Sequence, residues 1–285
     1  MRASNHGKLY SIVLILTPTR SGTMRATVGH QAHAAFLRTV READAALAEV
    51  LHHPDLPMRP FTVSRLLGVD QAHNRRVRVS PGQDYALRFT VLYEPIFQQF
   101  MQRFLGEKGR PVIRLGEVVF LIKEILVTPD SHPWAGYTSW SALVTEAQPR
   151  TEITLEFTSP TAFNFGTQPW GKRFFVLPDP EPVFGSLIRT WNSLAPPELA
   201  LDTKALQAYL VENVVIRRLK NLETRMLCYR KHPQIGFTGQ VEYGLMGDGD
   251  EEIKCQLNAL ADLAFYSGVG YHTTMGMGQT RRVIE

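Results

Sequence analysis

The chain is poor in cysteine. Its 285 residues include two, Cys228 and Cys255, and they form no C-x-x-C. That count supplies no disulfide framework and no thiolate cage for zinc, and it suits a reducing cytoplasm. Long hydrophobic runs are lacking too. No segment approaches the roughly 18 apolar residues that span a bilayer, so no membrane partner is expected. The apolar run Leu9 to Leu16 is short, contains Ser11 and ends at Pro18, with no small-residue cleavage site after it. It reads as a buried first strand rather than a signal peptide. Phosphate-loop motifs are missing: no G-x-x-x-x-G-K-[ST] occurs. The aromatic signature of a single-strand-binding RRM is also absent, so base stacking on a sheet face is not expected to dominate. Metal ligands are sparse. His30 and His33, at i and i+3, are two ligands without a third, so neither a metal nor a cofactor is expected.

What is present supports a packed protein. Hydrophobic residues make up 44% of the chain, enough for a core, and the length fits two ordinary domains. The formal net charge is +4 and the pI is near 9.1. That balance permits an anionic partner without requiring one.

Periodicity predicts the elements. After the first strand, apolar residues recur at helical spacing from Val28 to Leu51, with Thr27 as N-cap, which predicts one long amphipathic helix. Phe61–Leu67 and Val77–Val79 read as short strands. Tyr85, Leu87, Phe89, Val91 and Tyr93 alternate with Ala86, Arg88 and Thr90, the pattern of a half-exposed strand. Glu94–Leu105 reads as a helix stopped by Gly106 and Gly109, and Val118–Val127 as a strand. The order strand, helix, strand, strand, helix, strand is the split βαβ, or ferredoxin-like, pattern. Residues 129–149, rich in Pro, Ser, Thr and Trp, read as a connector. The second half repeats the logic. Strand alternation at 152–158 is followed by helices at Val183–Leu194 and Lys204–Leu210. Strands follow at Val214–Lys220 and Glu223–Tyr229, then a hairpin around Phe237–Tyr243 and a last helix capped by Gly268. The expected architecture is α+β: two tandem ferredoxin-like domains, 1–128 and 150–285.

Two features carry chemistry. The first is the tail Gly268-Val269-Gly270-Tyr271-His272-Thr273-Thr274-Met275-Gly276-Met277-Gly278, followed by a short basic strand with Arg281 and Arg282. The order is helix, glycine loop, strand, the reverse of nucleotide-binding folds. Four glycines in eleven residues exceed the need of a turn. They predict a backbone that approaches phosphate as a nest, aided by Thr273, Thr274 and Arg281. On this reading Gly276→Val and Gly278→Val cause a large loss of affinity for the phosphate-bearing ligand and leave the melting temperature near wild type. The second feature is the first helix. His33 follows apolar Ala32 and sits at the edge of the buried face. His30 lies one turn earlier, about 60° around the helix. Arg38 and Arg41 share this helix and are phosphate candidates. Arg217, Arg218, Lys220, Arg225, Arg230 and Lys231 form a basic run against a single acid, Glu223, with Tyr229 interleaved. A lesser cluster is Arg75, Arg76 and Arg78. Lys and Arg of this kind supply most of the affinity for RNA.

These residues carry a family resemblance. The tail G-V-G-Y-H-T-T-M-G-M-G-Q-T-R resembles the C-terminal glycine-rich loop of the CRISPR-associated repeat-RNA-processing endoribonucleases, the Cas six family. Gly29-His30-Gln31-Ala32-His33-Ala34-Ala35-Phe36-Leu37, Phe157-Thr158-Ser159-Pro160-Thr161-Ala162-Phe163, and Leu177-Pro178-Asp179-Pro180 running on to Leu187 are similar stretches, in the family's order. The resemblance implies two ferredoxin-like domains and cleavage of CRISPR precursor RNA within each repeat. The cut needs no metal and leaves 2′,3′-cyclic phosphate and 5′-hydroxyl ends. It implies a catalytic histidine in the first helix, and the H-A-A-F-L context points to His33, with His30 as the alternative. The RNA-binding set is then Arg38, Arg41, Arg217, Arg218, Lys220, Arg230, Lys231, Gly268, Gly270, Gly276, Gly278 and Arg281. The implied partners are CRISPR repeat RNA and a CRISPR effector complex, for a cytoplasmic monomer or homodimer. Two rivals stand beside this reading: a non-catalytic RNA-binding subunit of such a complex, and an unrelated ferredoxin-like metabolic enzyme, which no cofactor motif supports.

Overall fold

The computed structural model describes residues 7–25, 27–53, 55–69, 76–105, 111–228, 233–247 and 249–284. The chain divides into two compact units, Met1–Thr138 with Thr274–Gly276, and Ser139–Thr273 with Met277–Glu285.

The first unit contains β1 (Lys8–Pro18), β2 (Gly22–Arg25), α1 (Gly29–Ala43), α2 (Ala45–His52), β3 (Phe61–Val63), β4 (Arg76–Val79), β5 (Tyr85–Val91), α3 (Glu94–Leu105), β6 (Val112–Leu115), β7 (Val118–Leu126) and β8 (Gly136–Ser139). The sheet runs β3-β5-β1-β7-β6, with β8 also on β1, while β2 and β4 form a separate ribbon. β1 pairs antiparallel with both β5 and β7. Alternate residues of β1 (Tyr10, Ile12, Leu14 and Leu16) enter a core shared with Ala32, Phe36 and Val40 of α1 and Ile96 and Phe100 of α3. The Phe36 ring stacks on Phe61 at 4.4 Å and lies 5.3 Å from Phe89 and from Phe100. Burying side chains of this size stabilises by about 1.5–3 kcal/mol each, which fixes how α1 sits on the sheet.

The second unit contains α4 (Trp140–Thr145), β9 (Glu152–Thr161), β10 (Phe163–Gln168), β11 (Gly171–Phe175), α5 (Pro180–Leu194), α6 (Thr203–Asn213), β12 (Val214–Cys228), β13 (Pro233–Leu245), α7 (Glu251–Ser267) and β14 (Thr280–Val283). Its main sheet runs β12-β13-β9-β14, and β10–β11 is a hairpin of its own. Trp191 of α5 is fully buried and meets Trp140 edge-on at 5.3 Å. Taking the four core strands of each unit in chain order, both sheets have the spatial order second, third, first, fourth. The fold is therefore α+β, two ferredoxin-like units in tandem.

Several details differ from the periodic reading. The long first helix is two helices. Asp44 is extended (φ −149°, ψ 102°) and its side chain accepts from the Leu47 N–H at 2.9 Å. An aspartate cap there outweighs helix continuity. Thr27 is not the N-cap of α1, whose cap position is Val28. β5 is buried on both faces rather than half exposed: Arg88 is 1% and Thr90 0% accessible. The Arg88 Nε donates to Ser11 Oγ at 2.7 Å, and its guanidinium lies 4.7 Å from the Trp134 ring centre. Polar residues thus alternate here without facing water. The two strands expected at 214–229 are one strand, β12, whose pairing with β13 shifts between Lys220 and Glu223, where Asn221 has φ 52°. Within 129–149 the chain forms β8 and α4. Gly106 and Gly109 lie outside the described residues, as do Arg75 and Tyr229.

Candidate functional site

α1 begins where the glycine-rich loop returns to the first unit. A Cβ on Gly29 would run into the Met275 carbonyl oxygen, so the helix opens with a residue that has no side chain. One turn on, the His33 Nδ1 lies 3.0 Å from the Thr274 carbonyl oxygen. A carbonyl only accepts, so Nδ1 carries the proton and donates it. In the neutral ring this leaves Nε2 as the proton acceptor. The ring is half-buried, with its centre 5.4 Å from that of Phe61. Burial pushes the His33 pKa below its ordinary value. The Thr274 contact opposes that shift, while Arg59, His30 and His52 add to it. A histidine near neutral pH is then an unprotonated, oriented base.

Arg59 was not anticipated. It is half-buried and donates to the Leu51 carbonyl, at a point where its charge is felt at His33. A lone cation between Pro57 and Pro60 gives no pattern to read. His52 is exposed and adds to the downward shift at His33. His30 is exposed. Arg38 and Arg41 are exposed on α1, about 140° and 80° around the helix from His33. Only Arg41 shares roughly the same side, about 12 Å further along the axis.

The glycine loop uses its backbone internally. The N–H of Gly268 donates to Ala264 O at 3.0 Å and that of Gly278 to Pro160 O at 3.0 Å. The Gly270 N–H donates to Ser186 Oγ at 2.8 Å. Those three N–H groups are therefore committed inside the second unit. Gly276 and Gly278 have φ of 90° and 70°, and a Cβ on Gly278 would strike the Val269 carbonyl oxygen. This corrects one expectation: Gly276→Val and Gly278→Val cannot leave the melting temperature unchanged, because both force a branched side chain into left-handed backbone. Within the first unit, Gly276 packs against Arg65, whose Cγ would sit 3.0 Å from an added Cβ.

The expected RNA-binding cations are spread along the second unit. Arg217 pairs with Glu152, and Arg218 lies 3.8 Å from Glu242. Lys220 is exposed on the same strand. The Arg281 Nε sits 2.6 Å from the Glu156 carboxylate, its cross-strand neighbour. Arg230 and Lys231 lie outside the described residues. No group of three or more His, Cys, Asp or Glu is placed to hold a metal ion among the described residues, and no described helix is long and apolar enough to cross a membrane.

Two ferredoxin-like units in tandem, with a C-terminal glycine loop, define the RAMP fold. An RAMP protein that binds different RNA substrates superposes with a TM-score of 0.62 at 15% identity, over 96% of this chain and 100% of that one. The similarity is nearer among Cas6 structures. The product complex of a Thermus thermophilus Cas6 matches with a TM-score of 0.81 and 28% identity, covering 96% of this chain and 100% of that one. A second Cas6 product complex gives 0.73 and 27%, covering 98% and 100%. The family model for the CRISPR-associated endoribonuclease Cas6 matches residues 155–280, and that for the Cas6 N-terminal domain matches residues 9–145. No curated protein matches the chain. The chain belongs to the Cas6 family of CRISPR RNA-processing endoribonucleases.

Proposed function

We propose that this Cas6 protein cuts CRISPR precursor RNA within its repeats without a metal ion, using the RNA's own 2′-hydroxyl. The observation that carries this reading is the His33 Nδ1–Thr274 contact, which orients Nε2 in a ring whose burial favours the neutral form. Nε2 takes the proton from the 2′-hydroxyl. The 2′-oxygen bonds to phosphorus and the P–O5′ bond breaks, leaving a 2′,3′-cyclic phosphate. The departing 5′-oxygen takes its proton from water, and His30, one turn away, is the alternative to His33 as the base. Arg59 is assigned to the charge that grows on the phosphate oxygens, a role in which a fixed cation lowers the barrier. Cas6 relatives solved with product RNA and with a substrate mimic support a repeat-RNA ligand. The first unit would then carry the chemistry, and the exposed cations of β12, with Arg230 and Lys231, the affinity.

The test is incubation with repeat RNA in excess EDTA and identification of the product ends. Cyclic phosphate and 5′-hydroxyl ends at an unchanged rate support the proposal. Metal-restored cleavage would overturn its mechanism, and binding without cleavage would make the chain an RNA-binding subunit.

A further inference from the structure

The β10–β11 hairpin stands outside the ferredoxin-like sheet and takes no part in the proposed chemistry. Five of its thirteen residues, 163–175, are aromatic; Lys172 and Arg173 are its only charges, with no acid among them. Structural rings belong in a core, and Phe163 is buried. Two others are not. Trp170, at the turn, is 72% exposed and Phe165 is 46% exposed. The pairing explains why. Phe163 faces Phe175 and Asn164 faces Phe174, but the register then shifts, and Phe165 and Gly166 bulge out opposite Arg173. The bulge presents the Phe165 ring with the Arg173 guanidinium 5.8 Å from its centre. On the glycine-loop side, the Tyr271 ring lies 5.4 Å from Phe174 and 5.8 Å from the Lys172 ammonium. The Lys172 Nζ also donates to the Tyr271 hydroxyl at 3.4 Å. The hairpin is thus tied, through Tyr271, to the segment that leads on to Thr274.

We infer that this hairpin is a binding site for unpaired nucleotides, with Phe165 and Trp170 stacking on bases and Lys172 and Arg173 holding the adjoining phosphates. Exposed rings interleaved with cations, and no carboxylate, match the two parts of a single-stranded RNA: a π-face on every base and a negative charge at every linkage. A paired stem hides its base faces and leaves Trp170 and Phe165 nothing to stack on. The inference rests on the RNA-processing reading above and adds to it where single-stranded repeat sequence is held.

The test uses the full chain. Tryptophan fluorescence is followed in wild type and in Trp170→Phe, whose difference isolates Trp170 among the four tryptophans, on adding an unstructured RNA oligonucleotide and then a fully paired RNA of equal length. Affinities are measured for wild type, for Phe165→Ala/Trp170→Ala, and for Trp170→Phe, each checked for an unchanged melting temperature. The expected results are quenching by the unstructured RNA, at least roughly tenfold weaker binding of it by the double variant, and near-normal binding by Trp170→Phe. The Trp170 signal comes from wild type and Trp170→Phe, so it stands if the double variant misfolds. Unchanged affinity and no quenching would overturn the inference and leave the rings for a protein partner. Equal response to paired RNA would overturn the ligand class. Cleavage of repeat RNA by the wild type is scored separately: its absence defeats the processing reading, whereas loss of single-strand binding alone defeats only the hairpin site.

Discussion

The two units repeat one topology and hold the glycine-rich segment with different chemistry. In the first, the helix after the leading strand offers an imidazole: His33 on α1 donates to the Thr274 carbonyl. In the second, the equivalent helix offers a hydroxyl: Ser186 on α5 accepts from the Gly270 N–H. Each contact orders a loop, but only the imidazole can hold or move a proton near neutral pH. The surroundings differ to match. Three basic side chains, those of Arg59, His30 and His52, act on His33, whereas Ser186 is buried at 7% exposure beside Thr190, whose hydroxyl donates to the Ser186 carbonyl. The same topology thus gives the glycine-rich segment a titratable partner in one unit and a hydroxyl partner in the other.

The largest expected effect breaks the first half of that comparison. His33→Ala should slow single-turnover cleavage of repeat RNA by about 10²–10⁴-fold, with affinity little changed. If His30→Ala is inactive and His33→Ala is normal, the two histidines exchange roles. Arg59→Ala should cost about 10²-fold in rate, the scale for losing one group that stabilises transition-state charge. A normal rate would confine Arg59 to its bond with Leu51. Gly278→Val should destabilise by about 1–3 kcal/mol or more, from positive φ and the collision with Val269, seen as a fall in melting temperature. Ser186→Ala should be milder, about 1–3 kcal/mol for an orphaned Gly270 N–H, with cleavage within a few-fold of wild type. A rate loss as large as that of His33→Ala would erase the contrast between the helices. Smallest of all, Arg217→Ala with Arg218→Ala should weaken RNA binding modestly and flatten its salt dependence. Both arginines have carboxylate neighbours, and each phosphate contact removed lowers the slope by roughly 0.7–0.9.

Much of the fold and part of the site are legible in the sequence. Strand and helix order follows from apolar periodicity, because β1, α1, α3, β9 and α7 each present one continuous buried face. The half-buried place of His33 on α1 is legible from its position beside Ala32. The differences have separate physical causes. The break at Asp44 is one side-chain hydrogen bond, invisible in a helical pattern that continues through Ala48 and Leu51. β5 looks half exposed in sequence, yet Arg88 and Thr90 are satisfied inside. β10 and β11 give no strand signal because a bulge spoils their alternation. Arg59 is silent because nothing in P-M-R-P links it to a histidine 26 residues earlier. The glycines stand out plainly, but their immediate role differs from a phosphate nest, since three of their four N–H groups bond within the chain itself.

The central claim is that His33 works as a neutral base held by Thr274. The pH dependence of single-turnover cleavage tests it most directly. Burial lowers the His33 pKa, so the ring loses its base function only when acid protonates it below that lowered value. The account predicts a rate that climbs from acid pH with its midpoint below pH 6.5 and does not fall again through neutrality, with the limb missing in His33→Ala. A rate that instead falls as pH rises through 6.5, and does so only when His33 is present, would mean that His33 acts as an acid and would contradict the account.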